Sequence, residues 1–498
     1  MNNSPPSIEI ADMHLPQVPS PSLSKGSVAD EHGLDVVLGR ARELAASRGE
    51  ATLLRIQLAA RLEDPWTAWK HLESRGLRVE AAWSDPATGA RGLAAGAADS
   101  WHGVAWSETQ RACSSFCERL LEWSPDGGLD PSLPFLFAGR AFETQAPGPG
   151  GPWQGWPSTY LFAPRLLLWR RGDETRAAVT LAVDAHTPSG RARREIERFT
   201  ELVRAEPPAE RRAPRSAFSP AILADERGRF TRLVEEAKDA IRASTLDKIV
   251  VARALLFAAE AGHRFDLPAT LERLRDHEPQ AFVFALRGPG GSAFVGATPE
   301  VLARVDRDRV ETVALAGTAA RGETPEEDQL LARSLLSSQK DRHEQAIVVE
   351  QILSALEPVL ESCVAAAEPH IARFGRVQHL ATPIGGALRP GESLLSVVGR
   401  LHPTPAVAGA PRDGARAWLK GHERLERGWY TGAIGHLDRT GSGTFVVALR
   451  SALLTPAHAV AYAGAGIVAA SDPDREWSET ELKLAAIAGG LATAEERR

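Results

Sequence analysis

Five side chains in this chain have the types and placements to move protons or hold an anion: Lys248, Glu300, Glu344, Glu479 and Arg450. Lys248 stands at the mouth of LDKIVVARAL, Leu246 to Leu255, where Ile249, Val250 and Val251 predict a short buried strand. The lysine is conspicuous because only seven of the 58 basic residues are lysines: Lys25, Lys70, Lys238, Lys248, Lys340, Lys420 and Lys483. A chain that writes surface charge as arginine keeps lysine preferentially where a proton must be lost or a compact charge is needed. Lys25, in a Ser/Pro-rich tail, is outside that rule.

The carboxylates need positions. Glu344 lies in QKDRHEQAIVVEQILSAL, a strong helix, and steps of three and four from it reach Ile347, Val348, Gln351, Ile352 and Ala355. A carboxylate on that face must be paired or cation-bound; the plain alternative is a salt bridge at the helix edge. Glu476, Glu479 and Lys483 share a face of EWSETELKLAAI, which reads equally as a solvated face with an i, i+4 pair. The preceding AYAGAGIVAASD, a small-residue strand and glycine-rich turn, lets backbone N–H groups approach a ligand. Glu300 is expected in the first turn of a helix, capped by Thr298 with Pro299 at its first position. Arg450 ends the predicted strand GTFVVALR; His379 and His402 sit beside turn residues without partners at metal-ligand spacing, so zinc is not expected. Spacing alone leaves these candidates without a reaction.

The scaffold has ordinary globular proportions, with 43% apolar and 24% charged residues. A net charge of -6 gives no reason to expect nucleic acid or an anionic membrane as partner. No apolar run suits a membrane span and MNNSPPSIEIADMHLPQVPSPSLSKG does not read as a secretion signal, so a cytoplasmic protein is expected. Cys113 and Cys117 in CSSFC read as free thiols on a helix. Residues 1–33 are expected to be a disordered tail, 34–215 the N-terminal part of a composite α/β domain, and 216–498 its catalytic region, with 204–217 as linker. LDVVLGRARELAAS predicts a helix, RVEAAWSD and GVAWS strands, 145–158 a loop, and LFAPRLLLWRRGDETRAAVTLAVD a hairpin with a Gly-Asp turn. GPGG (288–291) lacks the lysine and following helix of a phosphate loop.

Taken together, DKIVVAR, FVGATPEVLARV, ETVALAGTAARG, KDRHEQAIVVEQI, VQHLATPIGG, LHPTPAVAGAPR, GWYTGAIGHLD, VVALRSA and AGAGIVAASDPDREWSETELK resemble the chorismate-utilising enzymes. They run in that family's order from about Lys248 to Lys483. The resemblance implies an α+β fold, antiparallel β-sheets packed face to face with helices outside, like the anthranilate and aminodeoxychorismate synthases. It implies chorismate as substrate and, because Lys248 stands where ammonia-using members carry glutamine, water as nucleophile. Aminodeoxychorismate synthases carry a lysine before the Gly-Thr pair, where this chain has Ala316, and no glutamine-amidotransferase motif or partner subunit is expected.

LAGTAARG and QHLATPI look most like isochorismate synthase, an isomerase feeding menaquinone or catecholate siderophore synthesis. The alternatives are a salicylate synthase, which adds pyruvate elimination, an ammonia-using synthase, or a non-catalytic chorismate-binding regulator. By the same resemblance Lys248 is the base, made easier to deprotonate by burial beside a cation, and Glu300 the general acid. Glu344 and Glu479 are magnesium ligands with Asp341 and Glu476 nearby, an all-oxygen set suited to Mg²⁺. Gly317, Thr318 and His379 line the ring, Arg450, Tyr430 and the backbone at Gly464 and Gly466 meet a carboxylate, and Lys483 points at the metal end. Members are often monomers. Gln345 replaces a frequent histidine, and ATPE and AGAPR depart from the usual forms.

Overall fold

The computed structural model describes residues 31–60, 62–125, 127–145, 147–204, 216–221, 225–375 and 377–495. The expected tail falls outside these for residues 1–30, as does the linker for 205–215. Among the described residues, 21 strands form one continuous hydrogen-bonded network and a further short pair joins His263–Phe265 to Thr493–Glu495. Pairing is antiparallel except where Thr52–Ala60 runs parallel to Leu120–Trp123.

An aromatic cluster, with Trp83, Trp153, Trp156, Trp169, Phe284, Phe294 and Trp429 at its centre, is built from strands and loops without any helix residue. Strands from both the N-terminal and the C-terminal part of the chain contribute to it, Trp83 and Phe162 from the first and Phe284 and Phe294 from the second. Two further clusters seat the helices on the outside: Glu31–Arg48, Ser189–Arg204, Leu267–His277 and Pro473–Gly490 over one, Glu226–Ala243, Gln339–Leu356 and Leu394–Leu401 over the other. This is the α+β arrangement of packed antiparallel sheets with external helices that the motifs implied. The halves share sheets: Val79–Ser84 pairs with Phe282–Arg287, and Leu136–Arg140 with Ala433–Leu437. No helix among the described residues is long and apolar enough to cross a membrane.

Local chemistry accounts for most elements. The hairpin Thr159–Arg171/Glu174–Val183 turns at Gly172, φ +59°, and Asp173. Pro473–Gly490 begins with Pro473 at its first position and the Asp472 carboxylate accepting from the N–H groups of Asp474 and Arg475. Two expectations fail. GVAWS is no strand: Gly103 ends Arg91–Gly103 and the helix Trp106–Glu118 starts at once, with the Ala105 N–H donating to Glu108 at 3.4 Å. Five residues of alternation cannot separate a strand from a helix start in which Trp106 is buried.

Nor is Glu300 in a helix. Thr298 ends Ala293–Thr298, Val301 starts Val301–Asp306, and Pro299–Glu300 form the bend between them. The Thr298 hydroxyl accepts the Glu300 N–H at 3.2 Å, as a cap would, but donates to the Val447 carbonyl at 2.6 Å and so fixes a strand corner.

Candidate active site

The strand Lys248–Ala259 pairs antiparallel with His458–Ile467 over ten residues. The N–H of Val250 donates to Ala408 O (3.0 Å) and that of Ala252 to Glu423 (2.6 Å), both away from the partner strand. Val250–Gly466 and Ala252–Gly464 are therefore non-hydrogen-bonded pairs, and the N–H groups of Gly464 and Gly466 face the opposite side. On that side Ser451–Leu454 pairs only as far as Tyr462, so both lie beyond that ladder. These glycines belong to the strand rather than to a turn, and their missing side chains make room. A Cβ on Gly466 would stand 2.7 Å from both Glu344 Oε1 and Lys248 Cε, and one on Gly464 3.1 Å from the Tyr430 hydroxyl.

Lys248 Nζ lies 2.8 Å from Glu344 Oε1, and the lysine is 1% exposed. The charged group beside it is thus a carboxylate, where a cation had been expected; the gap over Gly466 brings the two together. Glu344 is buried on the inner face of Gln339–Leu356 with Val348 and Ile352, and it is paired. The inner-face placement therefore holds, and of the plain alternative only the salt bridge does, since Glu344 is not at the helix edge. Its neighbour Gln345 donates to Ala314 O (3.0 Å) and Thr382 Oγ1 (2.8 Å), tying the helix to two strands.

Opposite, Arg309–Ala320 pairs with Val377–Leu388 and bulges between Ala316 and Thr318 at Gly317, φ +67°. The bulge sets Thr318 across from His379. Arg450 can only donate, so its 3.1 Å contact makes His379 Nε2 the acceptor and places the ring proton on Nδ1, which donates to Gly317 O at 3.1 Å. Burial, with Arg450 and Lys483 nearby, pushes the imidazole down to about 3. His379 is a neutral brace. Arg450 itself sits at φ +44° in a break between strands, its pKa brought down to about 10 by burial against the opposing pull of Glu278 and Glu300.

Lys248, Glu300, Gly317, Thr318, Glu344, His379, Tyr430, Arg450, Gly464, Gly466, Glu479 and Lys483 all line one cleft, which with its open mouth spans about 730 Å³. Asp341 and Glu476 do not line it. Burial pushes the Glu300 carboxyl up to about 7, against Lys248, a Thr404 hydroxyl at 3.4 Å, Lys483 and Arg450. Lys483 Nζ donates to Glu479 (2.7 Å) and Gly464 O (2.9 Å). Lys340 pairs with buried Glu476 at 3.1 Å. Burial, then Glu479, raises Glu476 to about 7, and Asp341 is raised by burial and by Glu344 and Glu479.

Asp341, Glu344, Glu476 and Glu479 offer only oxygen donors, the kind a hard divalent cation such as magnesium takes. Among the described residues, however, no three acidic or metal-ligating side chains converge as a metal cluster. Glu344, Glu476 and Glu479 each face a lysine instead. Tyr462, stacked on Tyr430 at 5.1 Å, and Thr404 were not singled out from the sequence, since neither type nor spacing marks them. Glu278, behind Arg450, was missed too, though an acid at a helix end is a signal of misfit.

A family model described as chorismate binding enzyme matches residues 40–492. The chain is 37% identical over 367 residues to a salicylate biosynthesis isochorismate synthase of Pseudomonas aeruginosa (strain PAO1), covering 73% of this chain and 75% of that one. To isochorismate synthase MenF of Bacillus subtilis it is 36% identical over 265 residues, 53% and 55% of the two chains. Among solved structures, the menaquinone-specific isochorismate synthase MenF of Escherichia coli matches with TM-score 0.72 and 27% identity, over 91% of this chain and 99% of that one. Anthranilate synthase component I of Streptococcus pneumoniae shares the fold, with TM-score 0.59 and 24% identity over 72% and 81%. The chain belongs to the chorismate-binding enzyme family.

Proposed function

We propose that the protein is an isochorismate synthase, adding water at C2 of chorismate while the C4 hydroxyl departs. The observation that carries this reading is the pairing of opposite chemistries in one cleft: a buried lysine at one wall and a carboxyl held up to about 7 at another. Lys248 takes a proton from the attacking water, the ring double bonds shift, and Glu300 gives its proton to the leaving hydroxyl on the other ring face. One water enters and one leaves, so substrate and product are isomers.

Arg450 and Tyr430, with the outward N–H groups of Gly464 and Gly466, hold the enolpyruvyl carboxylate. Thr318, braced by His379, lines the ring. Glu344 and Glu479, with Asp341 and Glu476 around them, would hold magnesium once released from their lysines. That ion would neutralise charge on the C1 carboxylate. Incubating the protein with chorismate and Mg²⁺, with and without ammonium, and identifying the products is the test. Isochorismate alone supports the reading; salicylate shows a further elimination of pyruvate, an amino product overturns water as nucleophile, and no turnover indicates a binding protein. One relative is named for salicylate biosynthesis and one solved structure for menaquinone, so the reading takes either route as the destination.

A further inference from the structure

Glu278 stands where local stability argues against an acid. It is the C-terminal cap residue of Leu267–His277, at the negative end of the helix, where basic side chains are favoured. It is also 3% exposed, and a buried carboxylate needs a compensating partner. Two partners supply it. The Gly375 N–H donates to Glu278 Oε2 at 3.0 Å, and Arg450 Nη1, which is buried and has no hydrogen-bond partner, lies 3.8 Å from the same oxygen.

The fit is close on both sides: a Cβ on Gly375 would come within 2.8 Å of either carboxylate oxygen. Glu278 does not line the cleft, whereas Arg450 and His379 do. The guanidinium is therefore held from three directions: Glu278 behind, His379 Nε2 on Nη2, and the Phe374 ring 5.3 Å away.

We propose that Glu278 is a positioning residue that aims Arg450 at the substrate's carboxylate, acting on binding rather than on the chemical step. This rests on Arg450 being the carboxylate site of the proposed function. Glu278→Gln can keep the Gly375 hydrogen bond while losing the charge. Its KM and equilibrium dissociation constant for chorismate are expected to rise about 10- to 100-fold, as for losing one hydrogen bond from Arg450 to the substrate's carboxylate, with kcat within about threefold. In an Arg450→Ala background the same change is expected to weaken kcat/KM less than about twofold, because the residue it acts through is gone.

Glu278→Asp should recover part of the affinity. Gly375→Ala, which leaves Glu278 in place but crowds its carboxylate, should reproduce the affinity loss and is the substitute should Glu278→Gln misfold. Unchanged chorismate affinity in whichever of these folds overturns the proposal, as does an equal loss with and without Arg450. Wild-type protein that binds chorismate while the variants match it leaves the proposed function standing and removes only Glu278's role. Wild-type protein that binds no chorismate overturns both.

Discussion

At the scale of single residues, Lys248 and Glu300 have testable signatures. A placed base or acid accounts for about 10²–10⁴ in rate. Lys248→Arg keeps the positive charge and cannot accept a proton, so turnover should fall by at least about 10²-fold, measured by isochorismate formation. Glu300→Gln should fall comparably. In the wild type, kcat/KM should decline as pH rises through about 7, because the acid must be protonated and burial holds its carboxyl there. The same shift fixes the sign for stability. A carboxyl raised in the folded state contributes stability in full below the ordinary carboxylate range and loses it as pH passes about 7. The melting temperature of Glu300→Gln relative to wild type should thus be higher at pH 8.5 than at pH 5.5; an equal difference at both would contradict the buried acid.

Lys248 could be singled out because lysine is rare here, and three of the seven lysines do meet the acidic groups of the site. What composition could not supply was the partner: that Lys248 meets Glu344 depends on a glycine more than a hundred residues from either.

Elements, rather than residues, decide whether those groups meet. Gly466 lets Lys248 and Glu344 occupy one gap, so Gly466→Ala forces a buried ion pair apart. Overpacking of this kind costs about 1–3 kcal/mol. The expected outcome is a lowered melting temperature together with loss of most activity. A variant with normal turnover would show that the pair is not needed.

The helix Gln339–Leu356 was legible to the residue, because apolar side chains recur along its inner face at Val348, Ile352 and Leu356. Glu300's helix and the GVAWS strand were misread for separate local reasons. Thr-Pro-Glu carries the same cap chemistry at a strand corner as at a helix start, and short alternation has no period to measure. Only the partner strand, through Val447 O, tells the corner apart.

For the whole molecule, the cross-pairing of Val79–Ser84 with Phe282–Arg287 and of Leu136–Arg140 with Ala433–Leu437 leaves the catalytic half dependent on the N-terminal half. Expressed alone, residues 216–498 should lack a cooperative thermal transition and bind no chorismate; a stable, active fragment would contradict the shared sheet. The motifs that carried the family resemblance all lie from Asp247 onward, so the sequence spoke clearly about the cleft and little about the strands that complete its walls. Those strands are read through pairing between distant segments, which no local pattern encodes.

The central claim is that solvent, activated at Lys248, becomes the new ring hydroxyl. It is tested most directly by running the reaction in H₂¹⁸O and locating the label by mass spectrometry. One heavy oxygen on C2 of isochorismate is the expected result. Unlabelled product, or label retained anywhere but C2, would contradict it.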